Sequence, residues 1–342
     1  MPYRLAHRRY RLPFRAPVRT AHGIWTEREG LIVRLEAEGG GIGWGEAAPL
    51  TGFGTESGDE AEVACQRLGG GFDEETLPTL PRRLLCLRSA LGAALADLAR
   101  SARPAAPRRG GNYLPVAALL PAGRPALAQV APKAEAGFRT FKWKVGAGDA
   151  ADELVLLDDI CAALPAGSRL RLDANGAWDR RRAEHWLERC AERPVEFIEQ
   201  PIAADARGAD DLLLGLAADY PTPLALDESL LGGEAIDRWL GLGWPGIFVL
   251  KPSLLGDAAG PLSRLEKAAG DRVVFSSALE TAVGARAALR MAFAWPGKAH
   301  ALGFGVGPLF VDRRFDGPAS APFIRSEDVD RIEVEAVWNA LS

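Results

Sequence analysis

The chain has 342 residues, 41 Lys plus Arg against 45 Asp plus Glu, 48% hydrophobic and 25% charged residues. That length supports one large domain or two with a full core, so a disulfide-stapled miniature scaffold is excluded, and the composition is that of a folded soluble protein. A formal net charge of −4 gives no basic excess for a phosphate backbone or an anionic bilayer to attract, so neither nucleic acid nor a membrane is an expected partner.

Along the chain, the alternation Leu31-Ile32-Val33-Arg34-Leu35-Glu36, the turn Gly39-Gly40-Gly41 and the run Ile42-Gly43-Trp44-Gly45-Glu46 predict a hairpin. Between residues 82 and 100, Leu84, Leu85, Leu87, Leu91, Leu95 and Leu98 recur at helical spacing in an alanine-rich background and predict a long amphipathic helix. A Pro-, Gly- and Arg-rich stretch over residues 100–112 then reads as a linker. Beyond it, short apolar runs alternate with helical stretches. The runs cover residues 114–120, 140–145, 169–173, 195–199, 223–227, 246–251, 273–276 and 299–303. Eight strands separated by helices at near-constant spacing favour a closed parallel barrel over an open sheet. The tail carries one more strand-like segment, residues 331–335, expected to return to the N-terminal part. The domains are accordingly an α+β unit over residues 1–112, joined by residues 311–342, and a barrel over residues 113–310.

Chemistry in such a barrel sits at the C-terminal ends of the strands. Five consecutive strands end in charge: Lys142 and Lys144, then Arg171 and Asp173, then Glu199, Asp227 and Lys251. The steps from Lys144 through Asp173, Glu199 and Asp227 to Lys251 are 29, 26, 28 and 24 residues, each close to one strand–helix unit. Strand alternation puts Lys142 with Lys144, and Arg171 with Asp173, on one inward face if Trp143 and Leu172 point to the helices. Three inward carboxylates repel one another unless a cation lies among them. Oxygen ligands from Asp173, Glu199 and Asp227, with no His or Cys, suit Mg²⁺ or Mn²⁺ ahead of Zn²⁺. Such an ion polarises a substrate carboxylate and makes its α-proton removable, with Lys144 as the base and Lys142 and the metal favouring its neutral form. The expected ligand is a small-molecule carboxylate; no oligomeric partner is assigned.

These residues resemble the enolase superfamily in its muconate-lactonizing subgroup, which carries Lys-x-Lys, three metal-binding acids and a further Lys at the ends of successive barrel strands. Within it, Arg171-Leu-Asp-Ala-Asn-Gly-Ala-Trp178, Val249-Leu-Lys-Pro-Ser-Leu-Leu-Gly256 and Phe275-Ser-Ser-Ala-Leu-Glu-Thr-Ala-Val-Gly284 are similar to the o-succinylbenzoate synthase family. The resemblance implies an α/β fold, a modified TIM barrel (β/α)7β with an N-terminal α+β capping domain completed by the C-terminal tail. It implies two capping loops, at residues 19–25 and 50–54, and a syn dehydration in quinone biosynthesis. It further implies Lys144 as base and Lys251 as a cation on the opposite face. Asn175 and Glu228 are implied beside the metal ligands, Ser276 and Ser277 at the succinyl carboxylate, and Lys142 and Arg171 in support. The same parts also serve an N-acylamino acid racemase or a dipeptide epimerase, although residues 295–303 lack the Asp-x-Asp pair expected of the latter. A barrel that binds without catalysis predicts a broken position, and all five charged positions are intact.

Other signals carry less. Cys65, Cys86, Cys161 and Cys190 include no Cys-x-x-Cys pair and are expected to be reduced. The four histidines lack metal-ligand spacing, and Gly303-Phe-Gly-Val-Gly307 reads as the loop leaving the last strand. The basic N-terminus has no apolar run after it, so a cytoplasmic location is expected.

Overall fold

The computed structural model describes residues 3–20, 23–101 and 112–341. Most of the expected linker, and His22 with its neighbour Ala21 in the first expected capping loop, lie outside those residues.

The chain opens with a long antiparallel hairpin, β1 (Tyr3–Thr20) and β2 (Gly23–Glu36), followed by β3 (Ile42–Ala47). Helix α1 (Gly58–Arg67), the short β4 (Gly71–Phe72) and helix α2 (Leu85–Ser101) complete this part, in a sheet of order β3-β2-β1-β4. The predicted 31–36/42–46 hairpin is present in register, Leu35 facing Gly43 and Leu31 facing Ala47. One face of β2 buries Leu31, Val33 and Leu35 among the side chains of α1 and α2. The other face packs Ile32 with Tyr10, Leu12 and Trp44 against the C-terminal tail. Helix α2 lies directly on β3 because Gly43 and Gly45 have no side chain. A Cβ on Gly45 would stand 1.9 Å from the Ala90 carbonyl oxygen, and one on Gly43 2.0 Å from that of Ala94.

The rest builds a parallel barrel. The short β5 (Tyr113–Pro115) precedes β6 (Ala118–Leu120) and α3 (Pro125–Glu135). Four strand–helix pairs follow: β7 (Thr140–Lys144) with α4 (Ala150–Ala163), β8 (Arg169–Asp173) with α5 (Arg180–Cys190), β9 (Val195–Glu199) with α6 (Ala209–Asp219), and β10 (Leu224–Leu226) with α7 (Gly232–Gly241). Then come β11 (Ile247–Leu250), α8 (Ala259–Ala269), β12 (Val273–Phe275) and α9 (Ala282–Ala294). The strands form one seven-stranded sheet of order β12-β11-β10-β9-β8-β7-β6. This is the expected (β/α)7β class.

Three sequence expectations are corrected. Residues 114–120 do not form one strand. Pro115 ends β5, which pairs antiparallel with β13 (Phe323–Arg325), and only β6 enters the barrel. The eighth run, 299–303, is reduced to single bridges, Leu302 to Val116 and Gly303 to Ser276. Those bridges still close the barrel, because Leu302 N donates to Pro115 O and Gly303 N to Phe275 O. Residues 331–335 are not a strand but lie across the junction of two short helices, α10 (Ser326–Asp330) and α11 (Val334–Asn339). Val334, Val337 and Trp338 recur at helical spacing and bury against the N-terminal sheet, with the Trp338 ring 5.4 Å from that of Trp44.

Outward barrel positions meet the helices. Trp143 packs against Trp186, which stacks on Trp178 at 4.9 Å, and Leu172 is fully buried in the same cluster. All four cysteines are free. Among the described residues no helix is long and apolar enough to cross a membrane.

The contact between β3 and α2 yields a prediction. Gly45→Ala forces β3 away from Ala90 and lowers the unfolding free energy by about 1–3 kcal/mol, the usual cost of overpacking a filled core. A urea titration with an unchanged midpoint would refute that account of the close approach.

Candidate active site

Inside the barrel, side chains fall in layers two residues apart. The lower layer holds Phe197, Ala225, Val249 and Val274, all buried. Two residues further along the same strands stand Glu199, Asp227, Lys251 and Ser276. The register extends the upper layer sideways, with Lys144 opposite Asp173 and Asp173 opposite Glu199. Charge therefore accumulates at the strand ends because the period-two face that fills the barrel with apolar groups below continues into polar ones above.

These residues open into a cavity of about 550 Å³. Lys142, Lys144, Asp173, Asn175, Asp227, Glu228, Lys251, Ser276 and Ser277 all line it. Of the expected site residues, Glu199 and Arg171 do not. Glu199 is 1% exposed, beneath the ammonium of Lys142. Arg171 belongs to the lower layer, where its Nε pairs with Glu196 at 2.7 Å, its Nη1 donates to Ala301 O and its plane covers the Phe197 ring. It is an internal ion-pair partner and does not face the cavity.

The lysines supply counter-charge, Lys144 acting on Asp173 from the neighbouring strand. Lys142 Nζ lies 2.9 Å from Asp173 Oδ2 and 2.7 Å from Glu199 Oε1, and Lys251 Nζ pairs with Asp227. These carboxylates keep both lysines protonated, above the ordinary lysine range despite the opposing effect of burial. Even so, negative charge remains in excess. Burial and the neighbouring Asp173 and Asp227 push Glu199 up, and burial and Asp227 push Glu228 up. Glu228 Oε2 is buried and has no hydrogen-bond partner among the described residues.

A hard divalent cation fits this donor set, which is all oxygen, buried and short of positive charge. As the side chains stand, no three Asp, Glu, His or Cys groups among the described residues are drawn together closely enough to hold one.

Just beyond two of the strand-end acids the backbone is left-handed, at Asn175 (φ 44°) and Gln200 (φ 40°). Each follows a strand-end acid, and each is fixed by its own side chain. Asn175 Nδ2 donates to Glu228 Oε1 at 3.1 Å. Gln200, absent from the residues picked out by sequence, is fully buried. Its Oε1 accepts from the amides of Asp227 and Ser229, and its Nε2 donates to Ile202 O and Ser229 Oγ. The Glu-Gln-Pro run contained the signal, since an amide beside a strand-end acid can bridge to the next strand.

The remaining walls are apolar and come from both sheets. Val18 and Trp25 near the tip of the β1–β2 hairpin, Leu50 and Phe53 in the following loop, and Leu119, Leu279 and Val306 from the barrel face the cavity. The Phe53 ring centroid is 5.1 Å from Lys251 Nζ. Sequence reading placed the first four in or beside capping loops and missed Leu119 and Val306.

Comparison with known proteins places this geometry. The family model for the enolase C-terminal domain-like fold matches residues 126–321, and that for the MenC N-terminal domain matches residues 4–83. The o-succinylbenzoate synthase of Thermosynechococcus vestitus is 40% identical over 87% of this chain and 90% of its own length. The chain belongs to the o-succinylbenzoate synthase family of the enolase superfamily. A crystal structure of the o-succinylbenzoate synthase from Thermosynechococcus elongatus, with magnesium in its active site, superposes with a TM-score of 0.84 at 36% identity, covering 98% of this chain and 99% of that one. A dipeptide epimerase from Methylococcus capsulatus, solved with Mg and a dipeptide, is 27% identical with a TM-score of 0.76 over 90% of this chain and 92% of that one.

Gln200 generates the prediction for this site. Gln200→Leu strips partners from two buried amides, a carbonyl and a hydroxyl and costs roughly 4 kcal/mol or more, each of the orphaned groups contributing ~1–3 kcal/mol. Urea denaturation checks it; a loss below 1 kcal/mol would show, against ~1–3 kcal/mol per orphaned group, that the bridge does not carry Asp227.

Proposed function

We propose that the chain dehydrates 2-succinyl-6-hydroxy-2,4-cyclohexadiene-1-carboxylate to 2-succinylbenzoate in menaquinone or phylloquinone biosynthesis, with Mg²⁺, or Mn²⁺ in its place, as cofactor and the cytoplasm as compartment. The observation that carries this reading is the charged row Lys144, Asp173, Asp227 and Lys251 around one cavity, with Glu199 buried beside Asp173 in the same row, in a chain 40% identical to an o-succinylbenzoate synthase. The division into a cap, residues 1–112 with 311–342, and a barrel, residues 113–310, is part of the same proposal.

Asp173, Glu199 and Asp227 would hold the ion. When bound, it draws electron density from the substrate carboxylate and acidifies the adjacent C–H. Lys144 removes that proton, and the C–H electron pair moves into the carboxylate as an enediolate. The pair then returns to the ring as the C–O bond breaks, and the Lys144 ammonium gives its proton to the departing hydroxyl. The net loss is one water, and the ring becomes aromatic. Lys251 follows β11, across the barrel from β7, with the three acid-bearing strands between them. Its ammonium faces the ring from that side and stabilises the electron-rich intermediate.

Lys142, fixed by Asp173 and Glu199, keeps positive charge beside Lys144. Asn175 and Glu228 orient the ligand carboxylates. Ser276 and Ser277 receive the succinyl carboxylate. Arg171 supports the row from the layer beneath it.

A second reading, racemisation of an N-succinylamino acid, is favoured by one observation: lysines stand on both sides of the acids, so either can exchange a proton with an α-carbon between them. Paired assays with the cyclohexadiene carboxylate and an N-succinylamino acid separate the two.

Lys144→Ala lowers kcat for dehydration about 10²–10⁴-fold, the usual contribution of a positioned acid–base group, with the fold retained by circular dichroism. Turnover within a few-fold of the parent enzyme removes Lys144 from the role. Exhaustive chelation abolishes turnover and added Mg²⁺ restores it; activity undiminished after chelation overturns the metal-assisted scheme.

A further inference from the structure

Arg28, on β2, is 3% exposed, and every one of its N–H groups ends on a main-chain carbonyl. Nη1 donates to Glu29 O at 3.0 Å and Pro49 O at 2.6 Å, and Nη2 to Ala48 O at 2.5 Å. The other two bonds cross to the barrel, Nε to Leu279 O at 3.2 Å and Nη2 to Ala278 O at 3.4 Å. Both groups of acceptors border the cavity. Ala48 and Pro49 lead directly into the Leu50–Phe53 wall, while Ala278 and Leu279 are wall residues themselves.

The barrel side of this contact has no regular secondary structure to shape it. Leu279 is left-handed at φ 59°, a conformation that costs a branched residue roughly 1–2 kcal/mol. Local bonds fix only its amides: Ala278 N donates to Glu280 Oε2 and Leu279 N to Ser277 Oγ. The carbonyls of the same residues are fixed by Arg28. A second tie runs parallel, since Glu46 on β3 accepts from Thr281 N and Gly284 N at the start of α9.

We propose that Arg28 is a positioning residue that rivets the cap loop carrying Leu50 and Phe53 to the barrel loop 277–279, making one rigid wall for the non-reacting arm of the substrate. A planar guanidinium spreads its N–H groups over carbonyls from two loops at once; a lysine ammonium, with three donors on one atom, cannot span them. The wall meets the row of acids and lysines where the Phe53 ring lies 5.1 Å from Lys251 Nζ, but Leu50, Ala278 and Leu279 carry no reacting group, so loosening it weakens substrate and transition state alike and appears in KM.

The choice of substrate rests on the reading above; the rivet does not. In Arg28→Lys, KM for the cyclohexadiene carboxylate rises about tenfold while kcat stays within about threefold, the signature of lost uniform binding. A purely structural role lowers the melting temperature and leaves KM unchanged, so a KM within about twofold of the parent value overturns the proposal. Native-state hydrogen exchange on the unsubstituted protein decides the matter if the variant does not fold. Peptides covering residues 47–54 and 275–281 lose protection at one common urea concentration when the loops open together. Separate midpoints overturn the proposal. Failure of the unsubstituted enzyme to turn over the substrate refutes the assigned reaction and leaves the exchange experiment to judge the rivet.

Discussion

The barrel mouth is governed by one constraint: buried carboxylates on adjacent strands must share positive charge. Asp173 and Glu199 are opposite each other in the ladder and nearly inaccessible, and Asp227 extends the same face by one strand. In water such a row would be merely repulsive; at low dielectric it is untenable without cations in contact. Lys142 and Lys251 meet part of the demand through their ion pairs, and burial, together with the acids beside them, raises Glu199 and Glu228. An all-oxygen, buried set of this kind suits a small, hard, doubly charged ion, which the reading proposed above places there. A site built to need a cation is also one that stabilises negative charge developing on a bound carboxylate.

The second feature of the cavity is the unequal origin of its two halves. The charged half is rigid because each member sits on a strand end, with Gln200 and Asn175 locking the backbone just beyond. The apolar half is assembled mostly from hairpin, cap loop and barrel loops outside the barrel ladder, with Leu119 on β6 held within it. Its shape therefore depends on how the N-terminal sheet docks, and the docking surface is polar as well as apolar. Glu46, Thr281, Tyr10 and Arg28 form hydrogen bonds there with little exposure to solvent. Glu280, pushed up to about 7 by burial, sits among them and holds Ser277. Polar contacts of this kind have directional geometry, which an apolar interface of equal area lacks.

How much of this could be read from the sequence depended on whether a signal was local and periodic. Strand runs at constant spacing gave the barrel, and charges at their ends gave the set that lines the cavity, because both follow from a period of two within a strand and about 24–29 residues between strands. The 299–303 run was read as a strand although only two bridges form, since closure needs hydrogen bonds on both sides rather than length. The segment 331–335 misled for the opposite reason: alternation over five residues outweighed the helical spacing of Val334, Val337 and Trp338. The first strand carries its own alternation, Tyr10, Leu12 and Phe14, but the basic residues Arg8, Arg9 and Arg11 around it mask that pattern in the sequence. They are in fact ion-paired or stacked, Arg9 with Glu29, Asp59 and Glu62, and Arg8 over Trp338. Arg28 is beyond reach, since its partners are backbone atoms, mostly on other elements, with no identity in sequence, whereas Gln200 leaves a signal only in its place beside Glu199 in the Glu-Gln-Pro run.

That asymmetry bears on how one fold comes to serve different substrates. Proton transfer at an activated α-carbon uses only the charged half, which dehydration and racemisation share on the reading proposed here. What differs between the substrates is the part that does not react, a ring with a succinyl arm or an acylated amino acid, and that part meets the apolar half. A substitution in the cap loop or in residues 277–279 can therefore retune selection without disturbing the acids, whereas any change in the charged row affects both reactions together. The fold separates the two tasks because the strand ends are fixed by the closed ladder while the opposing wall is fixed by docking. The residues that set the docking, remote from the reacting atoms and invisible to a search for catalytic groups, thereby become determinants of specificity.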